Sequence, residues 1–303
     1  MSPLNQQDKW YQIMNVDELK YSEIFYSTQG EGLLLGTPSV FLRTFGCNFR
    51  CKNFGLKSNE RLDRYNPEVR KLLDDGIIEN TKKFEDLPLV HTGCDTYASI
   101  YPEFAKFAKV GNVDQVVENL LGLLPKKLWM FSNKRDVHLI LTGGEPLLWQ
   151  PFWIKLFEHK SMRSLRNVTF ETNSTQALRP EFEDYLNNAE FKVTWSCSPK
   201  LSSSGEPRKK AIKPEVIKQY ANISGSDIYL KFVMATTDVD ELNGVIENLN
   251  NDGIRPPVYV MPTGGCVEEY QHNEPIIAKL ALKNGWRFSP RLQLSLYGNK
   301  WGT

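Results

Sequence analysis

Short runs of β-branched and aromatic residues alternate, in the second half of the chain, with stretches in which apolar residues recur every three or four positions. The short runs predict buried strands, and the other stretches predict amphipathic helices. The predicted strands are 137–141, 167–172, 192–196, 228–234 and 257–261, with 39–44 upstream as the first strand of the chain. The predicted helices are 113–124, 150–159, 179–187, 214–221, 239–250 and 274–283.

A strand followed by a helix, repeated about six times, predicts a parallel sheet. Six such units are fewer than the eight of a closed barrel. We therefore expect an α/β fold, an open partial (β/α)6-type barrel. Residues 143–146, Asn173, 198–200 and 262–265 each follow a predicted strand. Because the carboxyl ends of parallel strands meet at one rim, we expect these residues to line a common site.

Residues 52–93 interrupt this pattern with many charges. They hold 8 basic and 8 acidic residues among 42 positions, against 24% charged residues in the whole chain. The composition predicts a solvated surface insertion within a single domain of residues 1–303. Residues 68–78 have helical spacing, and Gly76 offers a helix stop.

The overall composition is that of a globular protein, with 41% hydrophobic residues and a net charge of +1 from 37 basic and 36 acidic residues. Such a balance gives no general reason to expect nucleic acid or a membrane as the ligand. The polar N-terminus does not resemble a signal peptide, and we expect a cytoplasmic protein. In that compartment, the five cysteines are expected to be thiols or metal ligands rather than disulfides.

Three of the cysteines, Cys47, Cys51 and Cys94, lie close to glycines that let the backbone fold around a bulky group. Three thiolates could hold an iron-sulfur cluster with one iron left open. With His91, the same thiols make a four-ligand set that suits a structural zinc ion. These residues alone leave both interpretations open.

The loop Thr142-Gly143-Gly144-Glu145-Pro146 combines glycines that expose the backbone to a ligand with a carboxylate that can bind an ammonium group. The same residues are also typical of a tight turn from a strand into a helix. The loop lacks the glycine spacing of a dinucleotide site, and the chain contains no phosphate-binding P-loop. NAD-linked and ATP-driven reactions are therefore not supported.

Several motifs, in order along most of the chain, resemble the 7-carboxy-7-deazaguanine synthase family of radical S-adenosylmethionine (SAM) enzymes. The motifs are residues 23–32, 36–43, 46–47, 94–96, 142–146, 171–173, 198–200 and 290–302.

The resemblance implies that Cys47, Cys51 and Cys94 hold a 4Fe-4S cluster whose open iron takes the amino and carboxylate groups of SAM. An electron then splits the sulfonium, and the 5′-deoxyadenosyl radical abstracts hydrogen from 6-carboxy-5,6,7,8-tetrahydropterin. The ring contracts with loss of ammonia to give 7-carboxy-7-deazaguanine, as in queuosine-type deazapurine biosynthesis. The chain would be a radical SAM lyase with no catalytic side chain beyond the cluster-bound SAM.

Individual site residues also follow from the resemblance. The implied SAM contacts are Gly93, Asp95, Gly144, Glu145, Asn173, Ser198, Pro199, Lys200, Met261, Pro262, Thr263 and Gly264. The implied substrate contacts are Thr28, Gln29, Gly30, Glu31, Arg43, Thr142 and Gln293. Thr96 would place its hydroxyl on Mg²⁺. Arg43 could grip the substrate carboxylate with both arms of its guanidinium, or form a salt bridge at the rim.

Three features differ from the family pattern, and one of them is Met261-Pro262-Thr263, where the family usually has a glutamine before the proline. The second and third cysteines are usually close together, whereas residues 52–93 separate them here. Gln293 stands where the family has a histidine, so the side chain keeps hydrogen bonding but does not titrate.

Two other functions remain as alternatives. One is an activase that makes a glycyl radical on a partner protein, and the other is a zinc-stabilised binding module that uses Cys47, Cys51, His91 and Cys94. For the synthase, the expected partners are the small-molecule pterin, an electron donor such as flavodoxin or ferredoxin, and a second copy of the chain in a homodimer. No membrane or direct nucleic-acid partner is expected.

Overall fold

The computed structural model describes residues 17–56, 64–131, 133 and 135–303. Nine strands in these residues form a sheet with the order β3-β1-β2-β4-β5-β6-β7-β8-β9. The strands are β1 Glu18–Thr28, β2 Pro38–Thr44, β3 Lys109–Asn112, β4 His138–Gly143, β5 Asn167–Thr172, β6 Lys192–Cys197, β7 Asp227–Met234, β8 Val258–Pro262 and β9 Arg287–Phe288.

Six strands, β2 and β4 to β8, run parallel to one another, and the short β9 continues them at one edge. At the other edge, β1 pairs antiparallel with both β2 and β3. The edge strands β3 and β9 do not pair with each other, so the described sheet is open. The expected open partial (β/α)6 barrel is confirmed.

Helices connect the strands, as a parallel sheet requires. The α-helices are α1 Pro67–Asp74, α2 Ile77–Asn80, α3 Val113–Gly122, α4 Gln150–Glu158, α5 Pro180–Asn187, α6 Arg208–Ala211, α7 Pro214–Ala221, α8 Asp240–Asn251, α9 Val267–Asn284 and α10 Leu292–Tyr297. Short 3-10 helices lie at Gly32–Leu34, Phe84–Asp86, Tyr97–Ser99, Pro102–Phe107, Pro125–Lys127, Pro146–Trp149, Lys160–Met162 and Ser202–Ser204.

The two faces of the sheet have different chemistry, because side chains alternate between faces along a strand. In β5, Val168 and Phe170 point outward into the main core, where Phe170 stacks on Trp195 with ring centroids 5.0 Å apart. Glu171, one position on from Phe170, points inward and lines a cavity. The outer face therefore builds the core, and the inner face is free to carry polar groups.

Most predicted elements agree with the structure within two residues, and β5 and α7 agree at both ends. The prediction of 39–44 as the first strand is wrong, because β1 precedes it. Strand β1 contains Glu18, Lys20 and Glu23, so its sequence does not show the apolar run of a buried parallel strand. Helix α9 begins at Val267 rather than at the predicted 274, and it continues through Pro275.

Part of the 52–93 segment, residues 64–93, packs against the rest of the molecule. Val69 of α1 and Phe84 belong to a second apolar core with Tyr97 and Phe104, and Trp301 packs on Phe84 with ring centroids 4.8 Å apart. The predicted helix at 68–78 is divided into α1 and α2, because Gly76 adopts a left-handed conformation with φ of 69°. That residues 1–303 form one domain with 52–93 as an insertion stays a prediction.

Among the described residues, no helix combines the length and apolar character that crossing a membrane requires.

Candidate active site

A cavity of about 250 Å³ lies inside the partial barrel. It is lined by the inward-facing strand residues and by the loops at the carboxyl ends of the strands. Of the predicted site residues, Glu145 and Pro199 do not line the cavity, and the structure brings all the others together around it. These lining residues are Thr28, Gln29, Gly30, Glu31, Arg43, Cys47, Cys51, Gly93, Cys94, Asp95, Thr96, Thr142, Gly144, Asn173, Ser198, Lys200, Met261, Pro262, Thr263, Gly264 and Gln293.

The loop after β4 packs directly on the loop that carries Cys47. Gly144 donates its backbone N–H to the Thr44 carbonyl at 3.1 Å, and Glu145 donates to the Gly46 carbonyl at 2.9 Å. A Cβ atom at position 144 would lie 2.0 Å from the Gly46 oxygen. Only glycine permits this approach, so the glycines of residues 142–146 position the cysteine loop as well as bordering the cavity.

Glu145 lies behind the cavity wall and is fully buried. Its carboxylate accepts hydrogen bonds from Leu147 N at 3.0 Å, Thr172 Oγ1 at 2.8 Å and Asn173 N at 2.8 Å. Burial raises the pKa of Glu145 to about 7 despite these donors. The side chain thus ties the end of β4 to the end of β5, and its predicted contact with SAM stays a prediction.

The three thiols Cys47, Cys51 and Cys94 are free and border the same cavity. Burial raises the pKa of all three, that of Cys47 to about 12. Asn173 Nδ2 lies 3.9 Å from the Cys47 sulfur, and Thr96 Oγ1 lies 3.2 Å from the Cys94 sulfur. Cys51 has a φ of 48°, a left-handed conformation that is uncommon outside glycine and costs about 1–2 kcal/mol.

The grouping of these thiols differs from that of a single-ion site in the described residues. In the described parts of the chain, no three His, Cys, Asp or Glu side chains are grouped so that they could hold one metal ion. In an iron-sulfur cluster each thiolate binds its own iron, so the sulfurs surround the cluster instead of converging on one point. Three free thiols that border one cavity could hold such a cluster.

His91 also lines the cavity, with an exposed side chain. The carboxylate of Glu68, in α1, accepts from the backbone N–H groups of His91 and Thr92, each at 2.8 Å. The 52–93 segment thereby holds the loop that leads into Cys94.

Another part of the cavity lining contains a group of charges around Glu31. Its carboxylate contacts Lys231 Nζ at 2.5 Å, Arg291 Nε at 3.2 Å and Gln293 Nε2 at 2.8 Å. Burial alone would raise the pKa of Glu31, but the charges of Lys231 and Arg291 outweigh burial and hold it at about 2. Glu31 is therefore ionised and neutralised within the protein.

Arg291 links this group to the loops near the cysteines. It pairs with Asp95, which follows Cys94, and donates from Nη1 to the Gly264 carbonyl at 2.6 Å. Burial would lower the pKa of Arg291, but Asp95 and Glu31 raise it, so the guanidinium stays charged.

Arg43 forms the salt bridge considered from the sequence, and its predicted grip on the substrate carboxylate stays a prediction. Its Nε contacts Glu23 Oε1 at 2.7 Å, and the side chain is only 16% exposed and also lines the cavity. The guanidinium lies over the Phe25 ring, which stacks on Phe41 with centroids 4.9 Å apart. A flat apolar surface thus lies beside a cation.

Glu171, Lys231 and Arg291 are among the residues that border the cavity without having been predicted as site residues. Glu171 accepts from Gln29 Nε2 at 3.0 Å and from Thr142 Oγ1 at 2.8 Å. Glu171 is the only charged residue of β5, and Lys231 lies in the interior of β7, whose other charged residue, Asp227, is at its start. A buried charge in such a strand is unusual, and that signal could have identified both residues.

Three curated relatives similar to this chain are each called 7-carboxy-7-deazaguanine synthase. The protein from Rhodopirellula baltica is 30% identical over 300 residues, which cover 94% of this chain and 89% of the relative. The protein from Halobacterium salinarum is 27% identical over 93% of this chain and 91% of its own length. That from Pyrobaculum aerophilum is 28% identical over 92% and 95%.

No family model matches the chain. Among solved structures, QueE from Escherichia coli covers 94% of this chain and 97% of its own, with a TM-score of 0.48 and 15% identity. The names of the relatives do not favour the two alternatives, the activase and the zinc-stabilised module.

Proposed function

The chain belongs to the 7-carboxy-7-deazaguanine synthase family of enzymes, and we propose that it converts 6-carboxy-5,6,7,8-tetrahydropterin to 7-carboxy-7-deazaguanine with loss of ammonia. The observation that carries this proposal is the shared cavity. Three free thiols border the same space as Arg43, Gln29 and Glu171. A reaction in which a metal cofactor acts on a polar, flat substrate needs the cofactor and the substrate in one enclosed site.

Cys47, Cys51 and Cys94 would hold a 4Fe-4S cluster. When bound, a cluster with one open iron supplies the one-electron reductive cleavage of SAM. The residues between the thiols and the substrate part of the cavity are proposed to contact SAM. They are Gly93, Asp95, Gly144, Asn173, Ser198, Lys200 and residues 261–264, which line the cavity, with Glu145 and Pro199 behind them. Lys200 donates to Ser198 Oγ at 3.0 Å, and its cation suits a carboxylate.

The substrate part of the cavity suits a carboxylated pterin. Arg43 provides a cation for the carboxylate, and Phe25 provides an apolar face for the ring. The Glu171 carboxylate can accept N–H groups from the aminopyrimidinone edge. Thr28, Gly30, Glu31, Thr142 and Gln293 complete the proposed substrate contacts.

Further parts of the proposal follow from the family resemblance. Thr96 would place its hydroxyl on Mg²⁺, an ion that prefers oxygen ligands. We also propose a cytoplasmic homodimer that accepts electrons from a flavodoxin or ferredoxin and whose product enters queuosine-type deazapurine biosynthesis.

The test is anaerobic reconstitution of the purified chain with iron and sulfide. The protein is then incubated with dithionite, SAM, Mg²⁺ and 6-carboxytetrahydropterin, and 7-carboxy-7-deazaguanine is measured by mass spectrometry. Parallel reactions without Mg²⁺ measure its contribution.

Product formation supports both cofactor and substrate. Cleavage of SAM to 5′-deoxyadenosine without a deazapurine product would retain the radical chemistry and reject this substrate. If the chain takes up zinc but no iron and sulfide, the proposed function is wrong.

A further inference from the structure

Glu206 lies outside the predicted site and is not part of the proposed reaction, yet it binds the loop that carries Cys51. One of its oxygens, Oε1, accepts hydrogen bonds from two successive backbone N–H groups. The distances are 2.8 Å to Arg50 N and 2.9 Å to Cys51 N. Successive N–H groups that converge on one point form an anion-binding concavity. In this chain the anion is supplied by the protein itself.

The backbone at Cys51 explains why such a partner is needed. Cys51 has a φ of 48°, which side chains other than glycine rarely adopt. This conformation turns the Cys51 N–H toward Glu206, and the hydrogen bonds in turn hold the conformation. Apolar contacts support the same geometry, since Phe49 and Cys51 pack against Ala211 of α6.

Glu206 is itself held in a defined loop. Its N–H donates to Ser204 Oγ at 3.2 Å, and the Ser204 carbonyl accepts from Asn53 N at 3.2 Å. Gly205, with a φ of 80°, packs against Asn53, where a Cβ would lie 2.5 Å from the Asn53 side chain. Residues 204–206 thus contact the chain on both sides of Cys51.

Chain connectivity does little to hold Cys51 relative to Cys94, because residues 52–93 separate them. Contacts from another part of the molecule must therefore place the Cys51 sulfur. The three hydrogen bonds from residues 50–53 to residues 204–206 are such contacts.

We propose that Glu206 is a positioning residue for the cluster ligand Cys51, and that its carboxylate also lowers the reduction potential of the cluster. The inference rests on the proposed cluster-binding function. The Glu206 carboxylate accepts hydrogen bonds from the backbone N–H groups of Arg50 and of the ligand residue Cys51 itself. A negative charge so close to the cluster disfavours the addition of an electron to it.

The test separates the geometry from the charge with two variants. Glu206→Gln keeps a side-chain carbonyl oxygen that can accept both N–H groups but removes the charge. Glu206→Ala removes the acceptor as well. Glu215→Gln is the matched control, because Glu215 is 66% exposed and contacts Lys213 at 3.6 Å. All proteins are reconstituted anaerobically. Iron and sulfide per chain, the rate of iron loss to a chelator, and the potential from a dithionite titration followed by electron paramagnetic resonance are then measured.

We expect Glu206→Gln to retain the iron content of the unmodified chain and to show a less negative potential. Glu206→Ala should lose iron to the chelator about tenfold faster or more. An unchanged potential in Glu206→Gln, or unchanged iron retention in Glu206→Ala, overturns the proposal. Failure of the unmodified chain to take up iron and sulfide would instead reject the proposed function, and this inference with it.

Discussion

The two ends of the cavity hold their polar groups in different ways. At the substrate end, Glu31, Lys231 and Arg291 are buried together, with contacts of 2.5 and 3.2 Å, and each charge has an opposite charge beside it. At the cysteine end, Cys47 and Cys94 are free thiols whose pKa values are raised by burial. Neutral thiols need no charged partner, whereas buried ions do.

This difference indicates what stabilises each end. The charged group of the substrate end connects β7, the Gly30 loop and the C-terminal segment, so it contributes to the fold before any ligand binds. The thiols become anionic ligands only when they lose protons to bind metal, so metal binding supplies their stabilisation. Substitutions at the two ends should therefore have different consequences for the protein without metal.

The largest expected effect is at the cysteine end. Cys47→Ala should reduce iron and sulfide per chain and lower synthase activity more than about a hundredfold, since even second-shell changes at metal sites cost 10–100-fold. Metal analysis and visible absorption of the reconstituted protein measure the loss. The melting temperature of the metal-free protein should change little, because the thiols contribute to stability only when they bind metal.

Cys266→Ala is the control for Cys47→Ala, because Cys266 is a free thiol that does not line the cavity. If the control loses as much iron as Cys47→Ala, the assignment of the ligands is wrong.

At the substrate end, Arg291→Met should destabilise the metal-free protein by about 3 kcal/mol, because the carboxylate of Glu31, whose side chain is 14% exposed, loses one of its two cationic partners. Urea unfolding measures the change. Arg208→Met is the comparison, since Arg208 is 52% exposed and its contact with Glu241 at 3.2 Å is a surface ion pair of about 0.5 kcal/mol or less. Equal effects of the two substitutions would contradict the role given to the buried group.

The pH dependence of stability gives a sharper test of Glu31. Its pKa in the folded chain, about 2, lies below the ordinary value of 4.5. The stabilisation from the Glu31 charge is therefore fully present above pH 4.5 and is lost as the pH falls toward 2. The difference in unfolding free energy between the unmodified chain and Glu31→Gln should be smaller at pH 3.5 than at pH 7, by about 1 kcal/mol. A difference that does not vary with pH would mean that Glu31 is not held as a carboxylate by its neighbours.

The smallest expected effect concerns substrate affinity. Gln293 Oε1 is buried with no hydrogen-bond partner among the described residues, while its Nε2 donates to Glu31. We expect the oxygen to accept a hydrogen bond from the substrate, so Gln293→Ala should raise KM about fivefold and change kcat less than about twofold. Steady-state kinetics test this, with Gln271→Ala on the exposed side of α9 as the control. An unchanged KM would remove Gln293 from the substrate site.

The local sequence pattern was sufficient to predict a strand or helix where the packing of its side chains and its intrinsic propensity agree. Strand β5 alternates outward Val168 and Phe170 with inward Thr169 and Glu171, and helix α7 starts at Pro214 and buries one face, so both could be predicted residue by residue. Strand β1 could not be predicted in this way, because its charged residues are explained only by partners on other elements. Glu23 of β1, for example, pairs with Arg43 of the neighbouring strand β2.

The residues of the site are divided in the same way, into those that the sequence predicts and those that only the folded structure brings together. The cysteines and the 142–146 loop stand out as motifs, and the family resemblance connects them to a function. The partners of Glu31 lie 200 and 260 positions away, at Lys231 and Arg291, and no spacing along the chain relates them. The role of Gly144 in admitting the Gly46 carbonyl likewise depends on two loops that meet only in the folded protein.

The sequence by itself determined the alternating strands and helices of the second half of the chain, the open α/β barrel and the thiols that border its cavity, because these depend on local periodicity and on residue type. Tertiary structure alone decided that Glu145 lies behind the cavity wall, that Glu31 is neutralised from two distant segments, and that Glu206 holds the backbone of Cys51. Hydrogen bonds and ion pairs act over a few ångströms, so they depend on which segments the fold brings into contact.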